Sequence, residues 1–177
     1  MWAERIVADA SIRPGDLVLD IGAGDGALTE PLVAAGARVI AIELHPDRVG
    51  ALRRRFEGRP VTVVRADATD LRLPRRPFRV VANPPFAAMV GIVSRLVSAG
   101  SRLDDAHLVV PVHAVARWTA PGAPGAGRWR RSHVAVAGPS VPRSAFVPAA
   151  PMDCATLVIA RRASGERQGG AGRVGRR

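Results

Sequence analysis

Hydrophobic positions along most of the chain follow two alternating periods. The short apolar runs Leu17–Ile21, Arg38–Glu43, Val61–Ala66, Phe78–Ala82 and Ala106–Val110 read as buried strands. Between them lie segments whose apolar residues recur three and four apart. Trp2, Ile6, Val7 and Ala10 give Trp2–Ser11 this helical spacing, and Ala27–Ala35, His45–Phe56 and Ala87–Ala99 read as helices too. The punctuation agrees. Arg13-Pro14-Gly15-Asp16 is a turn, Gly36 closes the second helix, and Pro46 falls in the first turn of the third, where a proline is tolerated. Strand alternating with helix predicts an α/β fold with a parallel sheet, whose right-handed crossovers place helices on both faces. Ligands in such sheets bind beyond the carboxyl ends of the strands.

The remainder is less periodic. Ala120–Gly127 is rich in proline and glycine and reads as a flexible loop, followed by the basic Arg128-Trp129-Arg130-Arg131. Ser132–Ala137 and Ala155–Ala160 are a candidate pair of late strands. From Arg161 the chain is arginine, glycine and polar residues, which predicts a basic, disordered tail over 163–177 behind a single domain over 1–162. A length of 177 residues and 47% hydrophobic content suit one globular domain.

The formal net charge is +11, carried wholly by arginine, because the sequence has no lysine. The stretch from Arg161 onward holds six arginines and one glutamate, a net +5, which leaves +6 on residues 1–160. Such an excess favours a polyanionic partner such as nucleic acid. A coding bias toward Arg, Ala, Gly and Pro accounts for it equally well. The single Cys154 cannot form an internal disulfide and reads as a small buried hydrophobe in a reducing cytoplasm. His45, His107, His113 and His133 lack metal-site spacing and read as surface or cap residues, so no metal is expected. No apolar run is long enough to span a bilayer, and Met1–Ala10 lacks the apolar stretch of a secretory signal.

Candidate chemistry gathers at the strand ends. Asp20-Ile21-Gly22-Ala23-Gly24-Asp25-Gly26 joins the first strand to its helix, and glycines there let backbone approach a ligand closely. Glu43 ends the second strand, where a carboxylate can accept hydrogen bonds from ribose hydroxyls. Asp67 follows the third, where it can accept from an adenine amino group. A glycine loop with acids after strands two and three suits an adenosine moiety without phosphates, and no GK[ST] loop is present for a triphosphate. Each acid alone is also an ordinary strand-end polar residue; their common register favours a site. Asp25 reads as a loop or helix-cap residue.

Asn83-Pro84-Pro85-Phe86 follows the fourth strand. An aromatic amino nitrogen is a weak nucleophile because its lone pair is delocalised into the ring. Two acceptors, the Asn83 side-chain oxygen and the Pro84 carbonyl, can hold the NH₂ so that nitrogen pyramidalises toward an electrophile. Proline keeps that carbonyl aimed, and Phe86 can stack on the base. In isolation the tetrapeptide is a turn; one strand beyond a cofactor-like constellation it reads as catalytic. The target base must leave its stack to reach such a site.

These residues resemble the ribosomal RNA adenine N6-methyltransferases, specifically the macrolide-resistance branch acting on 23S RNA. The similarity runs through Val18–Ala35, Val39–Pro46, Val64–Ala68 and Phe78–Phe86. It resumes at Val141–Arg162 with Pro142-Arg143-Ser144-Ala145-Phe146-Val147-Pro148 and Asp153-Cys154-Ala155-Thr156-Leu157-Val158-Ile159. The resemblance implies a Rossmann-like, class I methyltransferase fold with a seven-stranded, mostly parallel sheet. It implies S-adenosyl-L-methionine as donor and methylation of an adenosine in 23S ribosomal RNA, with a role in macrolide-type resistance. By the same resemblance Gly22, Gly24, Glu43, Leu44, Asp67 and Ala68 contact the cofactor with Asp20 and Asn83, while Asn83, Pro84 and Phe86 hold the target amine. Phe146 would help enclose the base, the alternative being a plain core phenylalanine. A cytoplasmic monomer is expected.

Three departures stand out. Family members carry a Gln-Asn-Phe stretch before the first helix that covers the methionine end of the cofactor; this sequence opens at Met1-Trp2, so either that lid is absent or the start is truncated. They also carry a C-terminal helical domain that grips RNA, so a short form is expected here. Their fifth strand ends in Leu-Gln, where this chain has Leu108-Val109-Val110-Pro111. RNA affinity is then expected to come from Arg117, Trp118, Arg128, Trp129, Arg130 and Arg131 together with the tail, arginines on phosphates and indoles on bases; a solvated basic loop is the alternative. Competing readings are a DNA adenine or protein-glutamine amide methyltransferase, since the tetrapeptide serves any planar NH₂, and a catalytically weak RNA-binding relative.

Overall fold

A computed structural model describes residues 2–146 and 149–162. The tail expected over 163–177 lies outside the described residues. In chain order the elements are α1 (Trp2–Asp9), β1 (Leu17–Ile21), α2 (Thr29–Ala34), β2 (Arg38–Glu43), α3 (Pro46–Arg55), β3 (Val61–Arg65), β4 (Phe78–Ala82), α4 (Met89–Leu96), β5 (Leu103–Pro111), α5 (Val112–Thr119), α6 (Ala126–Trp129), β6 (His133–Val141) and β7 (Cys154–Arg161). Short 3₁₀ turns at Phe86–Ala88 and Arg143–Ala145 precede α4 and follow β6.

The seven strands form one sheet in the order β3-β2-β1-β4-β5-β7-β6. All neighbouring pairs from β3 to β5 are parallel, while β7 runs antiparallel to both β5 and β6. The carboxyl ends of β1 to β6 therefore share one edge, and β7 starts there. The opposite, basal edge collects the starts of β5 and β6 and the end of β7.

Alternating side chains divide the core. Leu19 and Ile21 of β1, Phe78 and Val80 of β4, and Leu108 of β5 pack with Ile92 and Leu96 of α4, Trp118 of α5 and Trp129 of α6. Their neighbours Val18, Val81 and Val109 turn to the other face and meet Ile6 and Val7 of α1 and Leu32 of α2. Leu52 and Phe56, at the end of α3, close over Ala23 and Ala41. Cys154 is 1% exposed within the α1–α2 layer, as a small apolar residue would be; burial raises its thiol pKa.

Arg79 on β4 ties α1 to the sheet. Its guanidinium donates to the Ala10 and Ser11 carbonyls, which close α1, and to the carboxylates of Asp16 and Asp105.

The structure corrects several expectations. β5 starts at Leu103, three residues early, because Asp104 and Asp105 accommodate the strand start without being buried. Val112–Thr119 forms α5, a helix the sequence reading passed over, with Val115 and Trp118 on its buried face. The Pro/Gly segment 120–127 is ordered rather than loose: Ala123 and Ala126 are buried, and Trp129 donates its indole N–H to the Pro124 carbonyl at 2.9 Å. β6 extends past Ala137 to Val141 through an irregularity at Gly138-Pro139, which an edge strand tolerates. His107 and His133 lie in strands at 8% and 2% exposure rather than at the surface, and burial holds both pKa values low.

Candidate active site

The loop after β1 turns on Gly22, whose φ of +78° favours glycine. A Cβ on Gly22 would sit 3.2 Å from Pro85 Cδ, 3.5 Å from the Asn83 carbonyl oxygen and 3.7 Å from Pro84 Cα. The glycine loop thus lies against the Asn-Pro-Pro-Phe corner, with no room for a side chain between them. A cavity of about 610 Å³ opens beside this contact, a size suited to a small-molecule ligand. It is lined by Gly22, Gly24, Glu43, Leu44, Asp67 and Ala68, and also by Asn83, Pro84, Pro85 and Phe86.

Glu43 is 7% exposed and already holds three backbone donors. Gly24 N donates to Oε2, and Leu44 N and His45 N donate to Oε1, each at 2.9 Å. A carboxylate offers about four acceptor sites, so Glu43 retains one, on Oε2. It locks the glycine loop to the turn after β2 and can take one ribose hydroxyl rather than the pair expected from sequence. Asp67 is exposed. The Thr69 N–H and hydroxyl both donate to its Oδ1 at 2.7 Å and hold its pKa below the ordinary value. Oδ2 is left to accept from a ligand.

Asp20 is placed differently. It is 1% exposed, accepts a 2.7 Å hydrogen bond from Thr29 Oγ1, and lines a second cavity of about 220 Å³. Burial pushes its pKa up to about 7, with the Glu43 charge adding to the rise against the Thr29 hydrogen bonds. This cavity shares Gly22, Gly24, Asp25 and Asn83 with the first and is otherwise bounded by Trp2, Ile6, Val109, Val141 and Phe146. Phe146 is half-buried and reaches the same corner as Asn83.

Asn83 is exposed, Pro84 is buried and Phe86 is 40% exposed. Among the described residues neither the Asn83 side chain nor the Pro84 carbonyl takes part in a hydrogen bond. Two acceptors and an aromatic face are therefore open to a ligand at one point. Pro111, where the sequence departs at the fifth strand, caps α5 and lines neither cavity; Val109 is the β5 residue that does.

Sequence reasoning missed Arg48, in the first turn of α3, as a lining residue of the first cavity, and Trp2 and Ile6 as walls of the second. The helical spacing of Trp2 and Ile6 was visible, but not which end of α1 meets the glycine loop.

The arginine–tryptophan segment needs correction. Trp118 and Trp129 are 2% and 3% exposed and pack on each other at 6.5 Å between ring centroids, so neither indole is free to stack on a base. Arg130 lies over the Trp129 ring and donates to the Thr119 and Ala120 carbonyls. Arg128 and Arg131 are exposed, but the segment leads into the start of β6 and so sits on the basal edge, away from Asn83.

A family model described as ribosomal RNA adenine dimethylase matches residues 1–165. The chain belongs to this family. Among curated members, Ribosomal RNA small subunit methyltransferase A of Cupriavidus taiwanensis is 32% identical over 166 residues, 86% of this chain and 58% of that protein. The mycinamicin-resistance protein MyrB of Micromonospora griseorubida is 35% identical over 165 residues, 90% of this chain and 50% of that protein. The chain spans about half the length of these two relatives. The solved structure of the 23S rRNA methyltransferase ErmE superposes with a TM-score of 0.78 at 28% identity, covering 91% of this chain and 67% of that one. A dimethyladenosine transferase from Plasmodium falciparum shares the fold at a TM-score of 0.75 and 22% identity, over 90% of this chain and 60% of that one. The chain thus has the Rossmann-like α/β methyltransferase fold expected from its sequence, with seven strands and helices on both faces.

Proposed function

We propose that this chain transfers a methyl group from S-adenosyl-L-methionine to N6 of an adenosine in 23S ribosomal RNA. The observation that carries the reading is the contact of Gly22 with Asn83–Pro85, which gives the glycine loop and the amine-holding corner one shared cavity.

The residues fit the donor. Glu43 offers Oε2 to a ribose hydroxyl, Asp67 offers Oδ2 to the adenine amino group, and Ala68 and Leu44 supply apolar wall. Asp25, Glu43 and Asp67 against Arg48 give the first cavity an acidic lining suited to a cation. The donor supplies an electrophilic methyl on a sulfonium, so no strong base is needed in this chain. Asn83 Oδ1 and the Pro84 carbonyl accept the two amino protons of the target adenine and turn the nitrogen lone pair out of conjugation. Phe86 stacks on the extruded base, a contact worth roughly 1–3 kcal/mol, and Phe146 closes the other side. Positioning supplies most of the acceleration.

The likeness to MyrB and ErmE supports the large-subunit target and a resistance role. The similarity to small-subunit methyltransferases favours a second reading, in which the adenosine lies in small-subunit RNA. Transfer of labelled methyl to naked 23S RNA, small-subunit RNA and DNA separates these. Incorporation into 23S RNA is expected, with a roughly 10²–10³-fold loss in Asn83→Ala, the scale seen when one preorganised polar group is removed from an active site. Label found only in small-subunit RNA would move the target. Unchanged incorporation by Asn83→Ala would end the catalytic assignment.

A further inference from the structure

A groove of about 500 Å³ lies on the basal edge of the sheet. Ser94 and Ser98 of the α4 region, Ser101, Ser132, Arg128 and Arg161 line it, and among the described residues no aspartate or glutamate does. Arg102 and Arg131, each next in sequence to a lining serine, are exposed. Among the described residues no carboxylate pairs with Arg102, Arg128, Arg130, Arg131, Arg161 or Arg162. Arg161 donates to the Leu103 and Ser101 carbonyls, and Arg162 donates to the Arg130 carbonyl. Carbonyls orient these guanidiniums without cancelling their charge. Asp104, the nearest acid in sequence, lines a different hollow with Arg76 and Arg79. The groove is also rigid, because the buried Trp118–Trp129 pair and the Trp129–Pro124 hydrogen bond fix its wall.

Ser98 and Ser132 donate their hydroxyls to the Arg95 and Trp129 carbonyls, which leaves Ser94 and Ser101 as hydroxyl donors. Concentrated cations, these two hydroxyls and no competing carboxylate make a surface for a phosphate backbone rather than for a base or a peptide. We propose that this basal groove binds the RNA substrate through its phosphates, at a point remote from the methylated adenosine. The inference rests on the reading that the substrate is RNA. β5 runs from the groove to the catalytic edge, and its nine residues span about 30 Å at ~3.3 Å each. The groove therefore holds a segment of RNA other than the one entering the active site. A hairpin carrying only the target adenosine is too short to occupy both.

The test compares the full chain with R128E/R131E, binding either full-length 23S RNA or a short target hairpin over a salt series. The variant is expected to lose about tenfold in affinity for 23S RNA at low salt, and its dependence of log K on log salt is expected to flatten by about one to two. The hairpin should lose much less, and R128K/R131K should recover most of the binding, since phosphate contact needs charge more than shape. Equal losses on both RNAs, or an unchanged salt slope on 23S RNA, would overturn the groove. A wild-type chain that binds 23S RNA through the groove yet methylates none of it would instead sink the proposed reaction and leave the groove standing.

Discussion

At the scale of single residues, Gly22 holds the glycine loop against the Asn-Pro-Pro corner. Alanine there must adopt a φ near +78° and place its Cβ 3.2 Å from Pro85 Cδ. Left-handed backbone at a non-glycine residue costs about 1–3 kcal/mol, and the close contact shifts the Asn-Pro-Pro corner slightly outward. Gly22→Ala is expected to lower the thermal midpoint and weaken S-adenosylhomocysteine binding at least about tenfold, for which 1.4 kcal/mol suffices. Calorimetric titration checks this; wild-type affinity would show the contact to be unimportant. Asp20 makes a different prediction. Its native pKa of about 7 stands above the ordinary 3.8 because burial penalises the charge. Between those values the folded chain keeps a proton that the unfolded chain has released, so stability falls as pH rises through that window. Asp20→Asn is expected to flatten the fall and to raise the unfolding midpoint at pH above 7, followed by thermal melts across pH. A parallel pH profile for variant and wild type would contradict it. Glu43, Asp67 and Asn83 were legible in the sequence because each ends or closely follows a strand with a clear apolar run. Trp129 was not: an indole among arginines looks like a nucleic-acid contact until its packing partner, Trp118, is known.

At the scale of elements, the parallel half of the sheet was readable from period alone, and β1, β2 and β4 match the expected bounds. The late half was not. α5 has its buried residues at Val115 and Trp118, a pattern short enough to be lost beside Pro111 and the Pro/Gly segment that follows. The second late strand is antiparallel, and nothing in its local pattern encodes insertion between β5 and β6. Arg79 shows how one side chain governs an element. It is the shared partner of Asp16, Asp105 and the closing carbonyls of α1. Arg79→Met removes all four interactions and takes the guanidinium from two acids, which among the described residues keep only the Arg13 N–H at Asp16 and a 3.8 Å approach of His107 at Asp105. A loss of about 2–3 kcal/mol is expected from urea unfolding, below the fully buried figure because Asp16 and Asp105 keep contact with water. Since α1 brings Trp2 and Ile6 to the second cavity, donor affinity should fall with it. A variant as stable as the parent would show that α1 is held by its apolar face alone.

At the scale of the molecule, the two edges of the sheet have opposite character: acids line the first cavity, and uncancelled arginines surround the basal groove. Both depend on the layer beneath β5 and β7. Trp118→Ala is expected to cost about 3–5 kcal/mol, the range for removing a fully buried large aromatic. It should loosen the basal wall before the catalytic edge, a difference that hydrogen exchange at β6 compared with β1 would register. Uniform loss of protection would mean the sheet opens as one unit.

The reversed course of β7 has a practical corollary. Because that strand descends from the corner occupied by Asp153 to Arg161, residue 162 emerges beside Ser132, about 30 Å from Asn83. A molecule tethered to a sensor chip through residue 162 would hold the first cavity out toward the solution and press the arginines of the basal groove against the matrix. Immobilised in that orientation it would register nucleoside ligands faithfully and under-report long polynucleotides, whereas attachment through a surface position near Leu44 would do the reverse.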